Sequence, residues 1–450
     1  MSAVAPTTKS ASVRVVQAAA LVVVLGVLLL ATQLAPEARS VVGSMAGLGV
    51  LLLAGTLTSE LMEILKLPHL SGYLAAGFIC GPHVLHLVDH DTVQRLQPVN
   101  GLTLALIALA GGAELKIEVI RRCARSVLWA TVTQSTVVFF AAGGCFLVLA
   151  RYTPFAQLEP MALFAVAVLW AILAVSRSPA ALLGIFAQVR PKGPLAEFSL
   201  AFVMLSDLVV VVIMATAIAL VRPLLDSGAE ISLSSLRLLG HELLGSTALG
   251  VTLGLVLAAY LRVVGKNLLL MLLGLGVGMS ELLRYIQLDA MLAFLVAGFV
   301  VENVSAQGPK LLRGIENTGA VVYVIFFALA GAHLDVPVLR TLLPVALALC
   351  VVRGVASFGA ARLGSYLAED DPMVRRWGWS GLVSQAGLTL GLSIVVVRAF
   401  PIIGDAFRTM AIAVVAINEV VGPILFKLGL DRAGESRGAD EPEAAPSSVA

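Results

Sequence analysis

Apolar runs of about 20 residues, separated by short polar stretches, recur along the chain from Val15 to Phe426. Each run is close to what a helix needs to cross roughly 30 Å of hydrocarbon at about 1.5 Å per residue. The pattern predicts fourteen transmembrane helices, at 15–34, 45–65, 70–88, 102–115, 127–149, 161–188 and 195–221 in the first half, then 244–261, 268–282, 288–301, 321–334, 342–361, 378–397 and 409–426. The fourth, ninth, tenth and eleventh are short. Composition agrees: 59% of the 450 residues are hydrophobic and 13% charged, against about 25% charged in a soluble globular domain. With a mean hydropathy of +0.98, this is an all-α integral membrane protein.

A net charge of +2 is too small to suggest nucleic acid, and the basic residues are scattered between spans. They bear on orientation instead, because Lys and Arg accumulate in short cytoplasmic loops. With the N-terminus inside, 19 of the 30 basic residues fall on the cytoplasmic side, nine fall outside, and only Arg177 and Arg353 lie within spans. Both termini are expected in the cytoplasm. The first apolar run lacks a clear small-residue cleavage site and reads as a retained helix, not a signal peptide. Four cysteines without CxxC spacing suggest neither a disulfide framework nor a zinc site.

The chain repeats itself. Residues 61–82 (LMEILKLPHLSGYLAAGFICGP) align without gaps on 282–303 (LLRYIQLDAMLAFLVAGFVVEN), and 112–121 (GAELKIEVIR) on 331–340 (GAHLDVPVLR). Seven spans separate the copies, an odd number, so the second copy enters the membrane from the opposite side. Inverted-topology repeats are a transporter signature, since two halves that exchange conformations give alternating access to a midplane site. The expected divisions are an extra N-terminal helix (1–40), a first repeat (41–222), a connector with a linker helix (223–265), a second repeat (266–430) and a disordered cytoplasmic tail (431–450).

An ionised group at the bilayer centre costs about 2.5–3.5 kcal/mol on insertion scales. Four stand out: Arg177, Asp207, Arg353 and Glu419. Asp207 is a single carboxylate in FVMLSDLVVVVIM, and a carboxyl group shielded from water can trade a proton for a cation near neutral pH. In AVSRSPAALLG, Pro179 removes a backbone donor while Ser176 and Ser178 offer hydroxyls, so the helix is expected to unwind there. LVSQAGLTLG holds the symmetry-related place, with Ser384, Gln385 and Gly387 as its irregular point. Two matched interrupted helices mark a binding site, because freed carbonyls coordinate a cation and half-helix dipoles balance charge. Glu419, in VVAINEVVGPIL, aligns with Asp207 by the same pseudo-symmetry and reads as a structural ion pair with Arg353 or Arg177. The glycine run at Gly274, Gly276 and Gly278 lies inside a span and reads as helix packing, not a nucleotide loop. His69, His83, His86 and His90 lack the spacing of a metal-binding helix.

From about Leu53 to Leu430 the chain resembles the monovalent cation/proton antiporter superfamily, specifically its bacterial second branch. The resemblance rests on LKLPHLSGYLAAGFICGP, LALIALAGGAEL, SRSPAALLG followed by SDLVVVV, FFALAGAHLDV, SQAGLTLGL and INEVVGPILFKLGL. It implies two broken helices crossing beside an acidic pair whose second member binds cation or proton, the place Asp207 matches. It also implies a homodimer in the inner (plasma) membrane, no cofactor and no enzymatic activity. Three positions depart. Ser206 stands where many relatives carry a first acid, which favours one-for-one electroneutral exchange. Arg353 fills the place of an internal lysine or arginine and, never deprotonating, is a fixed counter-charge. Arg177 stands where many relatives carry threonine, so its guanidinium competes with or blocks a cation bound by Asp207, Ser206, Ser176 and Ser178. The expected function is exchange of sodium or potassium for protons by alternating access. The alternatives are a non-transporting membrane sensor of the same fold, or a transporter of an anion or organic solute drawn by Arg177.

Overall fold

The computed structural model describes residue 23 and residues 42–436, apart from 66, 226–232, 265–267, 287, 306 and 335. Nearly all of the expected first span at 15–34 lies outside the described residues, as does the side chain of Asp207. The described elements are all helical: α1 (Val42–Ile64), α2 (His69–Cys80), α3 (His90–Arg95), α4 (Gln97–Glu114), α5 (Ile117–Leu149), α6 (Pro160–Val175), α7 (Pro179–Val189) and α8 (Pro194–Leu225). They continue with α9 (Leu233–Val263), α10 (Leu268–Tyr285), α11 (Ala290–Ser305), α12 (Gly308–Ala332), α13 (Val336–Ala368), α14 (Pro372–Trp377), a 3₁₀ turn (Gly378–Leu382), α15 (Gly387–Ala399) and α16 (Pro401–Ala433).

Among the described residues, seven stretches are long and apolar enough to cross a membrane, and the pair Pro372–Leu382 and Gly387–Val397, bent by 49°, makes an eighth. Four further apolar helices are shorter, among them His69–Cys80 and Ala290–Ser305. The chain is therefore a multi-pass membrane protein; the ninth to eleventh spans, expected to be short, coincide with shorter apolar helices, and nearly all of the first lies outside the described residues. The helix α16 also overruns the expected boundary at 430, continuing to Ala433 before residues 434–436 fold back on the bundle.

Lipid tails are as apolar as leucine, so helices in a bilayer associate through close packing, and small residues at the crossings allow it. Two crossings show this, related by the repeat. Where α2 meets α12, a Cβ added to Gly77 would strike the carbonyl of Ala328, and one added to Gly331 would strike that of Leu74. Where α11 meets α4, Gly298 abuts the carbonyl of Leu109 and Gly112 that of Leu295. Gly77 and Gly298 occupy the same place in the two copies, as do Gly112 and Gly331, so each copy lends one helix to the other's crossing. The helices α5 and α13 are likewise equivalent, each 33 residues long, and they pack on one another with Gly364 against the backbone of Ala130.

At these crossings any side chain must push two backbones apart. Gly77→Ala and Gly298→Ala are each expected to destabilise the protein by about 1–3 kcal/mol or more. Gly101→Ala, on α4 with nothing within 4 Å of the added carbon, is expected to be neutral or slightly stabilising. Thermal melting of the purified proteins in detergent checks the order.

Candidate functional site

Among the described residues the chain leaves helical geometry twice inside the bundle, and the two breaks touch. The first lies between α6 and α7. Proline disfavours the helical region for the residue before it; Ser178, preceding Pro179, is extended at φ −115°, ψ 105°, and Ser176 is extended at φ −65°, ψ 155°. Helix α7 restarts with Pro179 in its first turn, where its missing N–H costs nothing, and the Ser178 hydroxyl accepts from the N–H of Ala181 at 3.2 Å. The second break runs from Val383 to Ala386, ahead of α15 and Gly387.

Breaking a helix in an apolar interior frees N–H and C=O groups that need partners. The two breaks supply each other: the N–H of Ser178 donates to the carbonyl of Ser384 at 3.0 Å, and the hydroxyls of Ser176 and Thr389 lie 2.7 Å apart. The Gln385 amide donates to the carbonyls of Leu173 at 3.1 Å and Ser176 at 3.3 Å, while its oxygen accepts from Asn418 on α16 at 2.8 Å. Gly422, one turn further on, lets α16 lie against Ser384.

Arg353, from α13, is 2% exposed and spans both breaks. Its guanidinium donates to the carbonyls of Ala174 (2.7 Å) and Ser176 (2.9 Å) on one side, and of Val383 (2.7 Å) and Leu382 (3.3 Å) on the other. Its planar fork of five donors suits that task, and a lysine ammonium would not match it. A narrow cleft lined by Trp170, Leu173, Arg353, Gln385, Thr389 and Val414 reaches the crossing.

Arg177 is also buried, 2% exposed. It donates to the Ser206 hydroxyl on α8 at 3.2 Å and to the Gln134 amide oxygen on α5 at 3.3 Å, with its guanidinium carbon 4.5 Å from the centre of the Phe202 ring. Gln134 in turn donates to the carbonyl of Ser357 at 2.9 Å. Asp207 follows Ser206 on α8, and its side chain lies outside the described residues.

Of the residues singled out from sequence, Ser176, Arg177, Ser178, Pro179, Ser384, Gln385, Gly387 and Arg353 therefore lie at or beside the crossing, with Ser206 reached through Arg177. Glu419 departs from expectation. It is 4% exposed, but among the described residues it forms no ion pair, and its Oε1 has no hydrogen-bond partner. The expected pairing with Arg353 does not form because backbone carbonyls at the two breaks take up that guanidinium. Gln134, Thr389 and Asn418 escaped the sequence reading. Gln134 carried a signal, 219 positions before Arg353 and so at the equivalent place in the other repeat, and Asn418 carried another, beside Glu419 at the place that matches Ser206.

The comparisons with known proteins agree with this architecture. Residues 48–429 match the family described as sodium/hydrogen exchanger, transmembrane. The fold is similar to that of the sodium proton antiporter MjNhaP1 from Methanocaldococcus jannaschii, solved at pH 8, with a TM-score of 0.63 and 18% identity over 88% of this chain and 97% of that one. A second structure of the same antiporter, an electron-microscopy map, gives a TM-score of 0.65 and 17% identity over 90% of this chain and 100% of the other. The comparison with curated protein sequences yields no match.

Removing the Arg353 guanidinium takes a donor from four buried carbonyls, of which that of Ser176 keeps the Gln385 amide, whereas neutralising Glu419 breaks no ion pair among the described residues. Arg353→Met is expected to lower stability by about 3 kcal/mol or more, and Glu419→Gln to change it by less than about 1 kcal/mol. Melting of both variants in detergent tests this; equal losses would contradict the assignment of partners.

Proposed function

The chain belongs to the sodium/hydrogen exchanger family, and on that premise we propose that it exchanges a monovalent cation, sodium or potassium, for protons, one for one, by alternating access around Asp207. The observation that carries this reading is the buried meeting of two broken helices beside Ser206. Helix breaks that face each other in a bundle core combine inward-turned carbonyls, which coordinate cations, with half-helix ends that balance charge. Asp207 is the next residue on the same helix and the carboxylate of the site. With its proton on, it releases the cation; with its proton off, it binds one together with hydroxyls and carbonyls near Ser176, Ser178 and Ser206. An empty charged site is costly to carry through the membrane interior, which couples the two fluxes.

One carboxylate, with Ser206 in place of a first acid, fits an exchange that moves no net charge. In this reading the repeats at 41–222 and 266–430 form a mobile core carrying the breaks and a scaffold built partly from α1, α2, α10 and α11. The protein works as a homodimer in the inner membrane with both termini in the cytoplasm.

A second reading draws on Arg177. A buried guanidinium within hydrogen-bonding distance of the Ser206 hydroxyl is a tethered cation at the site. Held there permanently, it would leave a sensor that has kept the fold and does not transport; held there for part of the cycle, it competes with the cation.

Proteoliposomes with an imposed pH gradient, given sodium, potassium and lithium in turn, separate these readings. The proposal expects cation-dependent dissipation of the gradient that is insensitive to an imposed membrane potential, abolished by Asp207→Asn and made tighter for cation by Arg177→Thr. Exchange that first appears in Arg177→Thr would support the locked sensor, and activity surviving in Asp207→Asn would contradict the proposed site.

A further inference from the structure

The first turn of α8 presents N–H groups that its own sequence does not cap. A helix leaves its first N–H groups without intrahelical partners, and a side-chain oxygen at the preceding position usually accepts from them. That position is Gly193, whose carbonyl accepts the first helical bond, from the N–H of Glu197, and which has no side chain. The oxygens come from the far end of the sequence: Glu435 accepts from the N–H of Leu195 at 2.9 Å through Oε1 and from that of Ala196 at 2.8 Å through Oε2.

Both partners are shaped for the contact. Helix α16 ends at Gly434, left-handed at φ 73°, and the N–H of Glu435 returns to the carbonyl of Leu430 at 3.0 Å, the helix-terminating turn that glycine favours. The Glu435 carbonyl accepts from the N–H of Lys192 at 3.2 Å, and the residue is 6% exposed. Gly193 has φ 155°, and any Cβ there would fall on the Glu435 carboxyl. A carboxylate bound to two N–H groups at a helix start gains from charge-assisted bonds and from the helix dipole.

The helices so joined are α8, which carries Ser206 and Asp207, and α16, which carries Asn418 and Glu419. We propose that Glu435 is a positioning residue for exchange: by capping α8 from the end of α16, it fixes the register of the Asp207 helix against the second helix break. Asp207 lies eleven residues above Ala196 on one continuous helix, about 16 Å at 1.5 Å per residue. A rigid rod of that length converts a slip or rotation at its capped end into displacement at the site. This inference rests on the exchange reading above.

The test measures apparent KM and Vmax for the cation in proteoliposomes of wild type, Glu435→Ala, Glu435→Gln and Gly193→Ala, with hydrogen exchange at Leu195 and Ala196 followed in the same preparations. Loss of the cap is expected to raise KM roughly fivefold in Glu435→Ala, within the range of cap removals, and less in Glu435→Gln, which keeps the shape without the charge. The two amides should exchange faster. Gly193→Ala attacks the same contact from the other side and should reproduce the rise, and the double variant should be no worse than either single one. Should Glu435→Ala fail to reconstitute, Gly193→Ala decides by the same KM. An unchanged KM, with any loss confined to Vmax or to the yield of folded protein, overturns the positioning role. A wild type without exchange would overturn the functional reading and this role together, so the two failures are distinguishable.

Discussion

Everything at the centre of this protein follows from the need to satisfy backbone polar groups where two helices stop inside an apolar bundle. Arg353 answers most of it, reaching four carbonyls on both breaks. Gln385 answers more, bonding back across the crossing to Leu173 and Ser176 and outward to Asn418. An unsatisfied polar group there would cost about 1–3 kcal/mol, so the breaks persist because they meet. Carbonyls turned from helix bonding toward a shared point are also the groups a cation can use, so one constraint produces both the architecture and its chemistry.

The two halves share a plan and differ in detail at the site. At the first break Arg177 reaches Ser206 on the following helix and Gln134 on α5; at the second, Gln385 reaches Asn418 on the equivalent helix, and Arg353 stands on α13 where Gln134 stands on α5. The polar roles recur with the charges redistributed. Glycine crossings that match pairwise between the copies hold the surrounding helices in the same relation on both sides. The side chains at the breaks, Arg177 in one half and Gln385 in the other, then differ without disturbing the frame.

Much of the frame was legible in the sequence because membrane burial imposes strong patterns. Apolar run length marked the spans, the odd spacing of the repeated segments marked inversion, and Pro179 marked the first break. The tenth span, short in the sequence, is the helix Ala290–Ser305. The partners of buried charges were less accessible. Formal charges suggested that Glu419 would pair with an arginine, but a guanidinium is satisfied equally well by carbonyls, and no sequence pattern announces which carbonyls a fold will free. The contact between Glu435 and α8 joins residues some 240 positions apart, and its one local sign, a glycine before Pro194, is indistinguishable in sequence from an ordinary loop.

The site exists only where the two breaks touch, and a disulfide across them probes that contact. The hydroxyls of Ser176 and Thr389 lie 2.7 Å apart. Ser176→Cys combined with Thr389→Cys, in a background with Cys80, Cys123, Cys145 and Cys350 replaced, therefore brings two thiols within reach of a sulfur–sulfur bond of about 2.05 Å. Oxidation in membranes is expected to link the pair within single chains, detected by mass spectrometry of the joined peptides, while a control combining Ser176→Cys with Val396→Cys should stay reduced. A pair at positions 176 and 389 that stays reduced under the same oxidant, in folded protein, would contradict the crossing and the site built upon it.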